Sequence, residues 1–96
     1  MTREQLKELL HYDPETGVFT CLVSRGGRAK AGRVSGCRTP GGYHQICIGR
    51  QTYLVHRLAW LYVTGSWPTL HIDHIDGNGA NNAWANLREA TRSQNQ

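Results

Sequence analysis

The sequence predicts an α+β fold, in which helices accompany a small antiparallel sheet. Three patterns indicate this class. Thr2 and Gln5 form a capping box that opens a short amphipathic helix at the amino terminus. Residues 43–48 and 51–55 are rich in β-forming side chains and flank a glycine-containing pair, which predicts a hairpin. A nearly unbroken apolar run from residue 54 or 55 to 63 predicts a helix that lies in the core.

The ends of that apolar helix and the remaining strands follow from local signals. Gly65 comes just after the apolar run and Pro68 lies beyond it, and both residues are typical of a helix end. Trp60 and Tyr62 within the helix are expected to be packing residues. Further strands are predicted in chain order: residues 18–23 after a turn over 13–17, then 70–74 and 87–91.

Length and charge limit the function classes that the chain can belong to. Its 96 residues suffice for one small domain, and a domain of this size buries only about 60 to 65 per cent of its unfolded surface. The formal net charge is +4 and the isoelectric point is near 9.3. This excess of positive charge favours an anionic partner such as nucleic acid, although it does not identify one.

Cysteine usage and hydropathy indicate a soluble, intracellular protein of the cytoplasm. Cys21, Cys37 and Cys47 form no CxxC pair, and their odd number without a secretory segment argues against a disulfide framework. Zinc held by His71, His74 and these cysteines is not expected, because the cysteines lie far upstream in strand-like patterns. No apolar run approaches the roughly 20 residues that cross a bilayer.

The most informative side chains for chemistry are Asp73, His74, Asn86 and Asn95. Hydrolysis of a phosphodiester needs a base for water, a cation for the phosphate and groups that align both. An imidazole such as that of His74 is the natural general base near neutral pH. The Asp73 carboxylate and the Asn95 amide oxygen are hard donors suited to Mg²⁺. Asn86 can accept from a ring N–H or bond the backbone around the histidine, and either contact would orient the base.

One geometric condition must hold for this site. Neighbours on a regular strand point to opposite faces, so Asp73 and His74 share a site only if the strand ends or twists at His74. Residues 76–79 read Asp-Gly-Asn-Gly, a composition typical of turns, and they predict that the strand ends there. The other asparagines of this loop are expected to shape its backbone through side-chain to main-chain bonds: Asn78, Asn81 and Asn82.

These residues resemble the motifs of the HNH (ββα-metal) endonucleases, and more narrowly of the phage and homing-type branch with Asn at the third motif position. The resemblance covers most of the chain. It is carried by these segments: Asp73-His74-Ile75, Asn86-Leu87-Arg88, Gln94-Asn95, HRLAWLYVTG at 56–65, Trp67-Pro68 and LLHYDPETGVF at 9–19.

The resemblance implies a carboxyl-terminal ββα-metal motif and a role for each motif residue. His74 would activate water, and Asn86 would position it. Asp73 and Asn95 would bind one Mg²⁺ or Mn²⁺ ion, and no structural zinc is expected. Residues 1–96 would form a single nuclease domain, with a helix and small sheet in 1–55 and the core helix and ββα-metal motif in 56–96. The last helix, which carries Asn95, would be short or truncated, as in a domain cut from a longer protein or in a minimal relative.

Basic residues outside this motif are candidate DNA contacts. The cationic segment from residue 25 to 33 can lie along phosphates or be an ordinary solvated loop, and both interpretations stay open. Three arginines lie on elements beside the expected site, although Arg57 can also simply end a helix. The DNA-binding candidates are Arg25, Arg28, Lys30, Arg33, Arg57, Arg88 and Arg92. His71 shares a strand face with Asp73 and is interpreted as structural.

The expected function is that of a metal-dependent endonuclease acting on double-stranded DNA. One site with one metal cuts one strand, so a monomer is expected to nick, and a double-strand break would need a dimer or two events. Two alternatives stay open at this point. One is a non-catalytic DNA-binding module that retains the HNH fold, and the other is cleavage of RNA.

Overall fold

The computed structural model describes residues 1–23 and 31–90, with the side chain of Cys37 excepted. Two α-helices, one short 3₁₀ helix and eight strands occur in this part of the chain. The helices are α1 Arg3–Leu9 and α2 Val55–Thr64, and the 3₁₀ helix is Trp84–Asn86. The strands are β1 Leu10–Asp13, β2 Val18–Cys21, β3 Val34–Ser35, β4 Cys37–Arg38, β5 His44–Ile48, β6 Gln51–Leu54, β7 His71–His74 and β8 Leu87–Ala90.

The α+β class predicted from the sequence is confirmed, but the described strands form three small antiparallel sheets and not one. Their strand orders are β1-β2-β3, β4-β5-β6 and β7-β8. The chain passes from the first sheet to the second at Gly36, whose φ of 121° lies in a region that glycine adopts easily. Gly36 is the single residue between β3 and β4, and it breaks the extended path of the chain. Strand β4 therefore belongs to a new sheet with β5 and β6.

Both predicted helices are present, with the capping box that opens α1 and the glycine that follows α2 as predicted. In α1 the Thr2 hydroxyl accepts from the Gln5 amide at 3.2 Å, and the Gln5 side chain accepts from the Thr2 amide at 2.9 Å. Helix α2 ends at Gly65, which has a φ of 83° and donates its N–H to the Leu61 carbonyl. The side chain of Arg3 donates to the carbonyls of Tyr62 and Val63, and so ties α1 to the last turn of α2.

The core lies where α1 and α2 meet the first two sheets. Its fully buried members include Leu6 and Leu10 from the amino-terminal segment and Leu58 from α2. Tyr12 and Phe19 pack ring to ring at 4.8 Å between centroids, and Tyr62 contacts both rings edge-on. Trp60 and Tyr62 are partly buried against this cluster, which confirms that they are packing residues.

The predicted strands near the carboxyl end form a hairpin that carries the candidate site. Register places Asp73 opposite Arg88 and His74 opposite Leu87. Ile72 and Leu87 point into the core and attach this two-stranded sheet to the rest of the domain. The predicted last helix with Asn95 lies outside the described residues. Within residues 1–23 and 31–90, no helix combines the length and apolar character needed to span a bilayer.

Candidate active site

Asp73 and His74 line the same cleft, which has a volume of about 430 Å³. One wall comes from the end of β7 and the loop that follows it. The opposite wall comes from β4 and the turn that joins it to β5. The remaining lining residues are Arg38, Gly41, Gly42, Tyr43, Ile72, Gly77, Asn78 and Gly79. The residues that carry the candidate carboxylate and the candidate imidazole therefore border one open cleft.

The end of β7 explains how adjacent residues reach one cleft. The burial of this strand alternates, with Ile72 and His74 buried while His71 and Asp73 face outward. The strand ends at His74, as the glycine-rich loop predicted. Gly77 has a φ of 76° and donates its N–H to the His74 carbonyl at 2.8 Å, which closes the turn. The chain therefore reverses immediately after the histidine. Both residues border the cleft, although their side chains alternate along the strand.

Asn82 is the hydrogen-bond partner of the His74 ring. The Nε2 atom of His74 lies 2.9 Å from Oδ1 of Asn82, and the two residues are only 6% and 2% exposed. The interpretation of Asn82 as a residue that shapes the loop backbone is therefore wrong for its side chain, which bonds the imidazole instead. Asn78 does accept from the backbone N–H of Ala80, as expected. Nothing local in the sequence separates these asparagines.

Asn86 holds the loop that follows His74 through three hydrogen bonds of its side chain. Its side-chain oxygen accepts from the backbone N–H of Asp76 at 3.0 Å. Its side-chain amide donates to the Asp76 carboxylate and to the Asn81 carbonyl, both at 2.9 Å. Of the two arrangements considered for Asn86, the structure therefore has the one that bonds the backbone around the histidine. Hydrogen bonds from Asn81, from the Asn78 backbone and from Asn86 hold the pKa of Asp76 below its usual value.

Asp73 is paired across the hairpin with Arg88. The Nη2 and Nε atoms of Arg88 lie 2.9 and 3.0 Å from the same carboxylate oxygen, Oδ2. The Asp73 side chain is 26% exposed and lines the cleft beside His74. Among the described residues no group of three or more His, Cys, Asp or Glu side chains is arranged to hold a metal ion. A single carboxylate at an open cleft nevertheless fits a hard divalent cation that keeps several waters.

Two aromatic side chains surround the imidazole of His74. The ring of His56 meets it edge-on at 4.9 Å between centroids, and the ring of Tyr43 lies 5.8 Å away. His56 is buried, and burial, the neighbouring His74 and Arg57 together lower its pKa to about 4. The position of His56 inside the apolar helix is the sequence signal that could have indicated a buried imidazole. No pattern in the sequence indicated that Tyr43 and Arg38 form the opposite wall.

The other predicted DNA contacts divide into those that the structure describes and those that it does not. Arg88 reaches the site through Asp73. Arg57 on α2 and the exposed Arg33 beside β3 are not among the residues that line the cleft. The remaining predicted site residues lie outside the described residues: Arg25, Arg28, Lys30, Arg92 and the metal-ligand candidate Asn95.

Comparison with known proteins places this geometry in a family. A family profile described as HNH endonuclease matches residues 53–96, which include both strands of the β7–β8 hairpin. The chain is 36% identical over 101 residues to YosQ, an SPbeta prophage-derived protein of Bacillus subtilis (strain 168) that is named as an HNH homing endonuclease. That alignment covers 99% of this chain and 55% of YosQ.

A solved structure shows the same fold. It concerns DNA binding and cleavage by the HNH homing endonuclease I-HmuI, and it matches with a TM-score of 0.63 and 28% identity. The match covers 88% of this chain and 48% of that one, so the chain spans about half the length of each of these relatives. The family profile, the relative and the fold agree with the Asp73-His74 cleft, and together they support the HNH endonuclease family for this chain.

Proposed function

We propose that this chain is the catalytic domain of a DNA endonuclease that hydrolyses phosphodiester bonds with the help of a divalent cation. The observation that carries the proposal is the common cleft of Asp73 and His74 at the end of β7. The similarity to I-HmuI, a homing endonuclease that binds and cleaves DNA, and to YosQ supports DNA as the substrate.

His74 is the proposed general base. Its Nε2 atom is engaged by Asn82, so the other ring nitrogen is the one that can take a proton from water. The ring is held on several sides by buried or aromatic neighbours, which keeps its orientation constant. Asn86 acts on the same residue indirectly, because it secures the loop that begins directly after His74.

Asp73 is the proposed metal ligand within the described part of the chain, and Asn95 is the proposed second ligand. A bound Mg²⁺ or Mn²⁺ ion would neutralise charge on the phosphate and on the leaving oxygen. Arg88 contacts one oxygen of the Asp73 carboxylate, Oδ2, through both Nη2 and Nε. The sequence supplies no thiolate pair for a structural zinc, and none is proposed.

Positive side chains provide the proposed DNA contacts. Arg38 is exposed and lines the cleft opposite the β7 wall, so it is placed to contact a phosphate of the bound strand. The basic residues that the sequence singled out remain candidates for contacts farther along double-stranded DNA: Arg25, Arg28, Lys30, Arg33, Arg57, Arg88 and Arg92. One catalytic cleft per chain predicts a nick in one strand by a monomer working in the cytoplasm, and a dimer would be needed for concerted double-strand cleavage.

A second function is favoured by the ion pair between Asp73 and Arg88. If that pair is purely structural, the Asp73 carboxylate is not available to a cation, and the domain would be a DNA-binding module without catalysis. The distinction is experimental, because both functions need the same positive surface.

Conversion of supercoiled plasmid to open circles in the presence of Mg²⁺ separates the two functions. We expect the native protein to nick and His74→Gln to lose at least about 10²-fold in rate, the usual contribution of a general base. His11→Gln, a change at an exposed histidine on β1, is the matched control and should nick normally. DNA binding without cutting by the native protein would favour the binding module. If His74→Gln nicks as fast as the native protein, His74 is not the general base.

A further inference from the structure

We infer that Asn82 is the positioning residue of His74: its side-chain oxygen holds the tautomer with hydrogen on Nε2 and leaves Nδ1 as the basic nitrogen. The inference rests on the proposed function only in giving His74 the role of base. It adds a residue that lies outside the Asp73, His74, Asn86 and Asn95 constellation and explains which of the two ring nitrogens reacts.

The contact itself determines the direction of the hydrogen bond. An amide oxygen only accepts, so Oδ1 of Asn82 at 2.9 Å requires a hydrogen on Nε2 of His74. Both side chains are almost completely buried, so water cannot replace the bond. Breaking it would leave a buried acceptor unpaired, which disfavours rotation of the ring away from Asn82. The neutral imidazole then carries its lone pair on Nδ1.

The backbone of Asn82 is held by the amino-terminal hairpin, far away in the sequence. The Tyr12 hydroxyl donates to the Asn82 carbonyl at 2.5 Å, and the Trp84 amide donates to the Pro14 carbonyl at 2.8 Å. A Cβ atom on Gly17 would lie 2.1 Å from the carbonyl carbon of Asn82, so the β1–β2 turn touches this backbone directly. The acceptor for His74 is thus fixed by a unit separate from the β7–β8 hairpin that carries His74.

Asn82 and Asn86 therefore do different things to the same base. Asn86 bonds Asp76 and Asn81 and controls the path of the chain after His74. Asn82 bonds the ring and controls its rotation and its proton. The rings of His56 and Tyr43 pack against the His74 ring and so limit its tilt. The proton position on the imidazole therefore depends on the Asn82 amide.

The test reads the tautomer directly. Ring ¹⁵N NMR spectra are recorded on histidine-labelled full-length protein without metal, at about pH 8, where an ordinary imidazole is neutral. We expect the native His74 to show a protonated Nε2 and an unprotonated Nδ1. Asn82→Leu, which is similar in size and has no acceptor, should lose this preference, and Asn82→Asp, which keeps an acceptor, should retain it. The exposed His11 serves as an internal control whose signals do not change.

Cleavage kinetics give the second readout. Asn82→Leu should lower kcat by about 10²-fold with little change in KM, because the base is misdirected while DNA binding is intact. Asn82→Asp should recover most of kcat, which a purely structural role would not predict for a buried residue that gains a charge.

The outcomes are distinguishable from a failure of the proposed function. A native spectrum with hydrogen on Nδ1 of His74 would overturn the inference, whether or not the protein cuts DNA and whether or not Asn82→Leu folds. An unchanged tautomer in folded Asn82→Leu would overturn it as well. If the native protein does not cut DNA but the Nε2–H tautomer disappears in Asn82→Leu, the positioning role stands and the nuclease proposal falls.

Discussion

Among single residues, His56 is a titratable side chain that the fold buries. It lies in the first turn of α2 with only 7% of its surface exposed. Among the buried side-chain nitrogens and oxygens of the described residues, its Nδ1 is the one without a hydrogen-bond partner. Burial, and the neighbouring His74 and Arg57, disfavour its charged form and lower its pKa to about 4.

This lowered pKa predicts a loss of stability in acid. A histidine with an ordinary pKa of 6.5 in the unfolded chain and about 4 in the folded one takes up its proton preferentially in the unfolded state. The contribution of neutral His56 to the free energy of unfolding is fully present above pH 6.5 and is lost as the pH falls from 6.5 toward 4. We expect His56→Phe to flatten the dependence of the unfolding free energy on pH in that window, as measured by urea denaturation. His11→Phe, at an exposed position, is the control and should keep the native slope.

A native-like slope in folded His56→Phe would show that other groups cause the acid sensitivity. The comparison also separates two uses of the His56 ring, because phenylalanine keeps the aromatic contact with His74 and removes only the titration. His74 itself was identified from the sequence by its neighbours in the chain. His56 was not assigned, because its contact with His74 spans residues that belong to different elements.

At the scale of elements, the β1–β2 hairpin acts as a clamp on the loop that carries Asn82. The sequence predicted the turn over 13–17 and the strand after it, but it did not predict the strand before the turn, β1, and β2 ends at Cys21, earlier than predicted. Local signals suffice for the turn and the strand after it because turn residues and β-branched side chains act over a few positions. The docking of its turn on the Asn82 backbone has no local signal, because the two segments meet only in the folded domain.

Gly17 tests the clamp, with Gly49 as a matched control. Both glycines have positive φ, 76° and 63°, but a Cβ at Gly49 meets nothing within 4 Å, whereas one at Gly17 would collide with the Asn82 backbone. We expect Gly49→Ala to cost about 1 to 2 kcal/mol through its backbone conformation alone. Gly17→Ala should cost clearly more and should also slow DNA nicking, since the Asn82 acceptor would shift. Chemical denaturation and the plasmid assay measure the two effects.

Equal destabilisation by the two alanine variants would mean that the turn yields without disturbing Asn82, and the clamp would then be rejected. The other elements show where local prediction fails. Four elements were not predicted: β1, the two-residue strands β3 and β4, and the 3₁₀ helix. The last three are so short that they are defined by their partners and carry no periodicity of their own.

At the scale of the whole molecule, either net charge or the position of a charge can determine DNA binding. Arg38→Gln and Lys7→Gln each lower the formal charge of +4 by one unit. Arg38 lines the cleft, whereas Lys7 lies on α1 with its ammonium 5.2 Å from the Tyr62 ring centroid. We expect only Arg38→Gln to weaken binding of a short duplex, by about tenfold or more, the effect of losing a charged hydrogen bond.

Fluorescence anisotropy measured from about 50 to 200 mM salt provides the check. The slope of log affinity against log salt should decrease by about 1 for Arg38→Gln, because one phosphate contact is lost. The same decrease for Lys7→Gln would indicate that total charge governs binding and that the cleft does not place a phosphate at Arg38.

The sequence by itself determined the elements with local signals and the candidate residues of the site. A capping box, a glycine-centred hairpin, an apolar helix and the adjacent Asp73 and His74 each act through residues close together in the chain, so a pattern reveals them. Only the tertiary structure decided that Asn82 bonds the His74 ring, that His56 and Tyr43 enclose it, and that the strands divide into three sheets. Those outcomes depend on contacts between segments far apart in the sequence, whose energies are set by packing of the whole domain and leave no periodic trace in the residues themselves.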